Sequence, residues 1–156
     1  SITSMIDNVV VSLGDPKHHE VILLLKESQN LLIKLFPLED NYAFSIDELC
    51  AENVKFFVAS FNKKIIGCGA ISIKPDYGEI KSMFVDKSMR GHGVAQKILD
   101  QINLEAKKEK LKVLRLETGL KLEAAVRIYI RNGFSFCNCF GEYVENKTSI
   151  FMEKSI

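Results

Sequence analysis

The stretch from Glu79 to Thr118 restricts the fold more than any other part of the chain. It opens on a strand-like run, Glu79 to Val85, and passes through a short polar loop carrying Gly91 and Gly93. Beyond the loop, Val94, Ala95, Ile98, Leu99, Ile102 and Ala106 return at helical spacing, which predicts a long amphipathic helix reaching about Lys110. Val113 to Thr118 is strand-like again. A strand, a helix and a strand in this order form a crossover unit, so the two strands should lie parallel in one sheet. In such a sheet the ligand crevice opens at the carboxyl ends of the parallel strands.

The flanking segments extend that sheet. Asn8 to Leu13 reads as a strand, and Gly14-Asp15-Pro16 supplies a turn, an N-cap and a proline suited to the first helical position. Val21, Leu24, Leu25, Leu31, Leu32 and Leu35 then predict a helix to about Phe36, stopped by Pro37. Ser45 with Glu48 is a capping-box pattern for a short helix over Ser45 to Ala51. Val54 to Phe61 and Ile65 to Ile73, joined by Asn62-Lys63-Lys64, read as a hairpin. Glu123 to Asn132 is a shorter helix ended by Gly133, and Phe134 to Phe140 and Ser149 to Lys154 close the chain as strands. The order β-α-α-β-β-β-α-β-α-β-β, without linker, repeat or low-complexity stretch, describes one α/β domain over 1–156, with a mixed sheet.

Composition narrows the function classes. The 156 residues are 47% hydrophobic and 26% charged, ordinary for a globular domain and too apolar for a disordered chain. Lys plus Arg is 21 against 20 for Asp plus Glu, a formal charge of +1, which argues against nucleic acid as the partner. No apolar stretch approaches the roughly 18 residues of a membrane span. The N-terminus has no basic region followed by an apolar run, so no signal peptide is expected, and a start at Ser1 suggests either processing or an expression remnant. Cys50, Cys68, Cys137 and Cys139 fit neither a metal spacing nor a disulfide framework and read as reduced thiols of a cytoplasmic protein. No metal is implied.

The loop before the long helix has the chemistry of an anion site. The first N–H groups of a helix lack internal partners, and the helix dipole favours negative charge there. Gly91 and Gly93 let the backbone close on a ligand, and Arg90 adds a guanidinium suited to phosphate. It is not a Walker A loop, since no Gly-Lys-Ser/Thr follows. Nor is it a dinucleotide fingerprint, because Gln96 stands where the third glycine would be.

Three segments together make the reading specific: Glu-Ile-Lys-x-Met-x-Val at 79–85, Arg-Gly-x-Gly-Val-Ala at 90–95, and Ala-x-x-x-Tyr-x-x-x-Gly-Phe at 125–134. This combination resembles the GNAT superfamily of acyl-CoA-dependent N-acetyltransferases. The resemblance implies a mixed, mostly antiparallel central sheet of about seven strands flanked by about four helices, with the parallel pair derived above. It implies that Arg90, Gly91, His92, Gly93, Val94, Ala95 and Gln96 hold the pyrophosphate of acetyl-CoA. Met83, Phe84 and Val85 would lie along the pantetheine, where a backbone N–H can polarise the thioester carbonyl. Tyr129 would be the acid toward the departing thiolate. One position departs from the pattern: many relatives carry an asparagine where this chain has Leu122.

The implied reaction is direct transfer of an acetyl group to a primary amine. Because an alkylamine is mostly protonated near neutral pH, a base or ordered water must take a proton. Glu79, which shares a strand face with Lys81 and Met83, is the first candidate, and Glu117 at the end of the neighbouring strand is the second. The acceptor pocket would draw on Phe36, Asn41, Tyr42, Glu117 and Tyr143, in segments that are aromatic and somewhat acidic. A small-molecule amine is the expected acceptor. The alternatives are a protein or tRNA amine, or a non-catalytic CoA-binding module. Exposed strand edges near the C-terminus leave a homodimer open.

Overall fold

Asn62 and Lys63 both take left-handed backbone conformations, φ 50° and 65°, and form a two-residue turn whose twist matches the strands on either side. That turn joins β2 (Val54–Phe61) to β3 (Lys64–Ile73), the widest antiparallel contact of the sheet. The computed structural model describes residues 2–36 and 45–156. Within them seven strands form one sheet in the order β1-β2-β3-β4-β5-β7-β6, all antiparallel except β4 against β5. The remaining strands are β1 (Val10–Leu13), β4 (Gly78–Val85), β5 (Val113–Gly119), β6 (Ser135–Cys137) and β7 (Ser149–Ser155).

The helices are α1 (Ile2–Asp7), α2 (His19–Leu35), α3 (Ile46–Leu49), α4 (Val94–Lys108) and α5 (Glu123–Arg131), with a 3-10 turn over Lys87–Met89. Strand alternation sends neighbouring residues to opposite cores. On β2, Phe57 and Ala59 join the core beneath α4, where Ile98 and Ile102 are fully buried. Phe56 and Val58 join the second core, with Val21 and Leu24 of α2 and Leu49 of α3. Burying a branched aliphatic side chain of this size contributes about 1.5–3 kcal/mol, so the two apolar faces outweigh any single polar contact described below.

The expected element order holds, and four details differ. α1 is an additional helix. A distant side chain, Lys97 Nζ, ties its C-terminal end down by donating to Ile6 O at 2.9 Å and to Val9 O, just beyond the helix, at 2.8 Å. Asp15 and Pro16 do not open α2. Asp15 instead accepts from Lys17 N in a preceding turn, and His18 is the N-cap, its Nδ1 accepting from Glu20 N at 3.1 Å. The Ser45–Glu48 capping box is present, on a helix of only four residues. β6 stops at Cys137 rather than Phe140, because only Ser135 to Cys137 find partners on β7. All four cysteines are free, with Cys68 buried and Cys50 exposed.

The parallel pair is short. Gly78, Glu79 and Ile80 face Leu114, Arg115 and Leu116, and beyond them the strands part. β4 pairs on with β3, but the register slips between Cys68 and Ala70, opposite Ser82 at φ 57°. This bulge bends β4 away from β5, with the Cys68 thiol donating to Ser82 O at 3.3 Å across it.

Candidate active site

Where β4 and β5 part, a cavity of about 800 Å³ opens. Ile80 to Val85 form one wall and Glu117 to Gly119 the other, at the carboxyl ends of the parallel strands. Ser28, Gln29 and Phe36 of the α2 side and Leu122, Ala125 and Tyr129 of the α5 side complete the lining. Phe36 lies against Gly119 so closely that a methyl group there would come 2.0 Å from the ring. The end of α2 therefore packs onto β5 only because residue 119 has no side chain.

The loop leaving β4 is held from both ends. Asp86 caps the 3-10 turn by accepting from Ser88 N at 3.0 Å and from the Ser88 hydroxyl. The Ser88 hydroxyl first, with the Ser88 amide, Lys64 and Arg90 in support, holds the Asp86 carboxyl below the usual range against a burial effect of opposite sign. Arg90 Nε donates to Val85 O at 2.9 Å, and its guanidinium lies 5.1 Å over the Phe84 ring. Gly91 (φ 81°) and Gly93 (φ 89°) occupy the left-handed region, so glycine is needed there for conformation rather than for space.

Gly93 is the N-cap of α4 and brings no side chain to it. The first intrahelical bond runs from Lys97 N to Gly93 O at 3.2 Å. The amides of Val94, Ala95 and Gln96 therefore have no carbonyl within the helix to meet, at the positive end of the helix dipole. Arg90, Gly91, Gly93, Val94, Ala95 and Gln96 all line the cavity, as do Met83, Phe84 and Val85. His92 does not; it is half-buried, with Nδ1 lacking a hydrogen-bond partner among the described residues. The Gln96 side chain is engaged elsewhere, in a reciprocal amide pair with Asn132, the C-cap of α5, at 2.7 and 2.8 Å.

Tyr129 lies on the buried side of α5, edge-on to Phe134 at 5.7 Å, and reaches the cavity. Burial, and then the charge of Glu117, push its hydroxyl well above the ordinary tyrosine range. The group stays protonated at neutral pH. Glu117 lines the cavity and accepts from Ser149 Oγ at 2.7 Å.

Glu79 is placed differently. It is buried and does not line the cavity. Its Oε2 accepts from Tyr143 Oη at 2.5 Å and lies 3.5 Å from Lys81 Nζ, which in turn donates to Tyr143 Oη at 2.7 Å. Of this cluster only Lys81 reaches the cavity. Burial, and then the Glu79 charge and hydrogen bond, push the Tyr143 hydroxyl far up, so it serves Glu79 as a donor.

Of the acceptor-pocket residues, Phe36 and Glu117 line the cavity, Tyr143 sits in the buried cluster beside it, and Asn41 and Tyr42 lie outside the described residues. Sequence reasoning passed over Lys81 as a cavity residue and over Ser149 as a partner for Glu117. Lys81 carries a signal, since it shares the strand face of Glu79. Ser149 carries none, because its pairing with Gly119 depends on how β7 enters the sheet.

The acetyltransferase (GNAT) domain pattern matches residues 52–136. An IAA acetyltransferase of Azospirillum brasilense is 34% identical over 151 residues, 96% of this chain and 99% of that protein. Among solved structures, a protein of Klebsiella pneumoniae described as an acyl-CoA N-acyltransferase superposes with TM-score 0.80 at 27% identity, covering 94% of this chain and 97% of that one. The PaiA N-acetyltransferase of Thermoplasma acidophilum, solved in complex with coenzyme A, has the same fold (TM-score 0.77, 16% identity, 95% and 99% coverage).

Proposed function

The chain belongs to the GNAT acetyltransferase family, which moves an acetyl group from acetyl-CoA to an amine, and from that premise we propose that Arg90–Gln96 hold the acetyl-CoA while Glu117 and Tyr129 handle the protons. The observation that carries this reading is the cavity itself: the unpartnered amides of α4, the open edge of β4, Glu117 and Tyr129 all line one space. The donor set suits the group, since a pyrophosphate needs converging N–H groups and nearby cations, and a pantetheine arm needs an unpaired strand edge. When bound, acetyl-CoA supplies a thioester whose carbonyl carbon is the electrophile.

Each residue then has one task. The amides of Val94, Ala95 and Gln96 take the pyrophosphate, with Arg90 beside them. A backbone N–H of Met83–Val85 polarises the carbonyl. Glu117 takes the proton that the amine sheds as its nitrogen bonds to the acetyl carbon. Tyr129 Oη presents its proton to sulfur as the carbon–sulfur bond breaks. Glu79, already engaged by Lys81 and Tyr143, acts as an anchor for the loop that carries Tyr143 and meets no substrate.

The similarity to an IAA acetyltransferase favours a small-molecule acceptor. A single domain over 1–156, in a cytoplasm that supplies acetyl-CoA and keeps thiols reduced, completes the reading. Steady-state rates of acetyl transfer to a panel of amines test it. Glu117→Gln and Tyr129→Phe should each lower kcat by about 10²-fold with the KM for acetyl-CoA little changed. Glu79→Gln should act mainly on the KM for the amine. Full turnover of Glu117→Gln together with collapse of Glu79→Gln would exchange the two roles.

A further inference from the structure

Five charged side chains line the cavity: Lys81, Arg90, Arg127 and Arg131 against a single carboxylate, Glu117. In a protein of net charge +1 this is a local concentration of cations. Two of the four are committed. Lys81 lies 3.5 Å from Glu79, and Arg90 is tied to Val85 O and to the Phe84 ring. Arg127 and Arg131 form no ion pair among the described residues, although Glu123 stands one turn before Arg127 on the same helix.

Their placement on α5 is specific. Residues four apart share a helix face, and both arginines line the cavity from it, where like charges repel unless an anion joins them. A cation in the last turn suits the helix dipole, which accounts for Arg131 but not for Arg127 in the middle of the helix. The reciprocal amide pair between Gln96 and Asn132 ties the C-terminal end of α5, next to Arg131, to the first turn of α4. The two arginines therefore line the same cavity as the unpartnered amides assigned above to the pyrophosphate, from the helix whose end is tied to them. Leu122, at the N-cap of α5, lines the same cavity with no polar group to offer.

We propose that Arg127 and Arg131 form a phosphate clamp for the ribose 3′-phosphate of acetyl-CoA, making the protein selective for CoA over its 3′-dephospho form. Coenzyme A carries this phosphomonoester in addition to its pyrophosphate, and a dianionic monoester matches paired, forked guanidiniums better than amides alone. The inference rests on the assignment of acetyl-CoA to this cavity, and it adds a discrimination that the amides of α4 cannot make.

Titration calorimetry with CoA and with 3′-dephospho-CoA, on the full chain, tests it without reference to turnover. The protein should bind CoA at least about tenfold more tightly, the ratio that one charge-assisted contact supplies. The Arg127→Gln/Arg131→Gln variant should bind both compounds with the affinity the parent shows for the dephospho form. The Lys107→Gln/Lys108→Gln variant, with the same change in net charge, should keep the parent ratio. An Arg127→Lys/Arg131→Lys variant, which keeps the charge and loses the fork, should fall between. Equal affinity of the parent for both compounds, or a ratio that survives in the Gln variant, would overturn the clamp and leave the cavity assignment standing. Binding of neither compound by the parent would remove both.

Discussion

At Tyr129 and Glu117 the protein sets a buried hydroxyl and a carboxylate on one cavity, and the carboxylate adds to the effect of burial on the hydroxyl. Burial, and then the Glu117 charge, keep the phenol protonated, so Tyr129 meets developing negative charge as a neutral donor rather than as a phenolate. The Cys68 thiol shows the same effect of burial without a catalytic consequence. Burial pushes it up to about 12, opposed by a hydrogen bond that the sulfur accepts from the Phe84 backbone. At pH 8 in the folded protein, iodoacetamide should therefore modify exposed Cys50 and spare Cys68, as read by peptide mass spectrometry; rapid native labelling of Cys68 would contradict that burial. At this scale the sequence was informative where a residue's partners are close along the chain. Arg90, the two glycines and Tyr129 all reach the cavity from motifs read locally. Glu79 was harder, because what engages it is Tyr143, 64 residues away, on a loop whose path no periodicity predicts.

The turn from Asp86 to Gly93 is the element on which the proposed cofactor site depends, and its first residue makes it sensitive to pH. Asp86 is held below the ordinary carboxylate range by Ser88, so its folded form binds a proton less readily than the unfolded chain does. The cap therefore contributes stability above the usual carboxylate pKa, and that contribution is lost as pH falls through the depressed folded value. Thermal melts of the parent and Asp86→Asn should differ by a constant amount between about pH 6 and 8 and converge below about pH 4. A gap that widened toward acid would contradict the assigned cap. Other elements show where local signals end. The Ser45–Glu48 box was readable because both halves of a capping box lie within one turn. α1 was not, because a helix of six residues has little stability of its own and its end is held by a distant residue, Lys97 on α4, through Ile6 O. The start of α2 moved to His19 because a histidine, rather than the more usual aspartate, supplies the cap.

Across the whole molecule, the cavity exists because two parallel strands pair over three residues and then separate. The sequence of elements and the parallel crossover were legible from alternating runs and from the amphipathic helix between them, whereas the place of β7 between β5 and β6 was not. The separation was not, since it comes from Ser82 at a left-handed φ and a register slip against β3, a matter of pairing that strand propensity does not encode. The opened edge of β4, the end of β5 and the capless start of α4 then face one space, and the central claim is that acetyl-CoA fills it along that path. Hydrogen–deuterium exchange with and without saturating acetyl-CoA tests it most directly. The amides of Val94, Ala95 and Gln96 have no helical acceptor, so they should exchange fast in the free protein and slow on binding, together with Met83 to Val85. Saturation with acetyl-CoA that left both segments unchanged would contradict it.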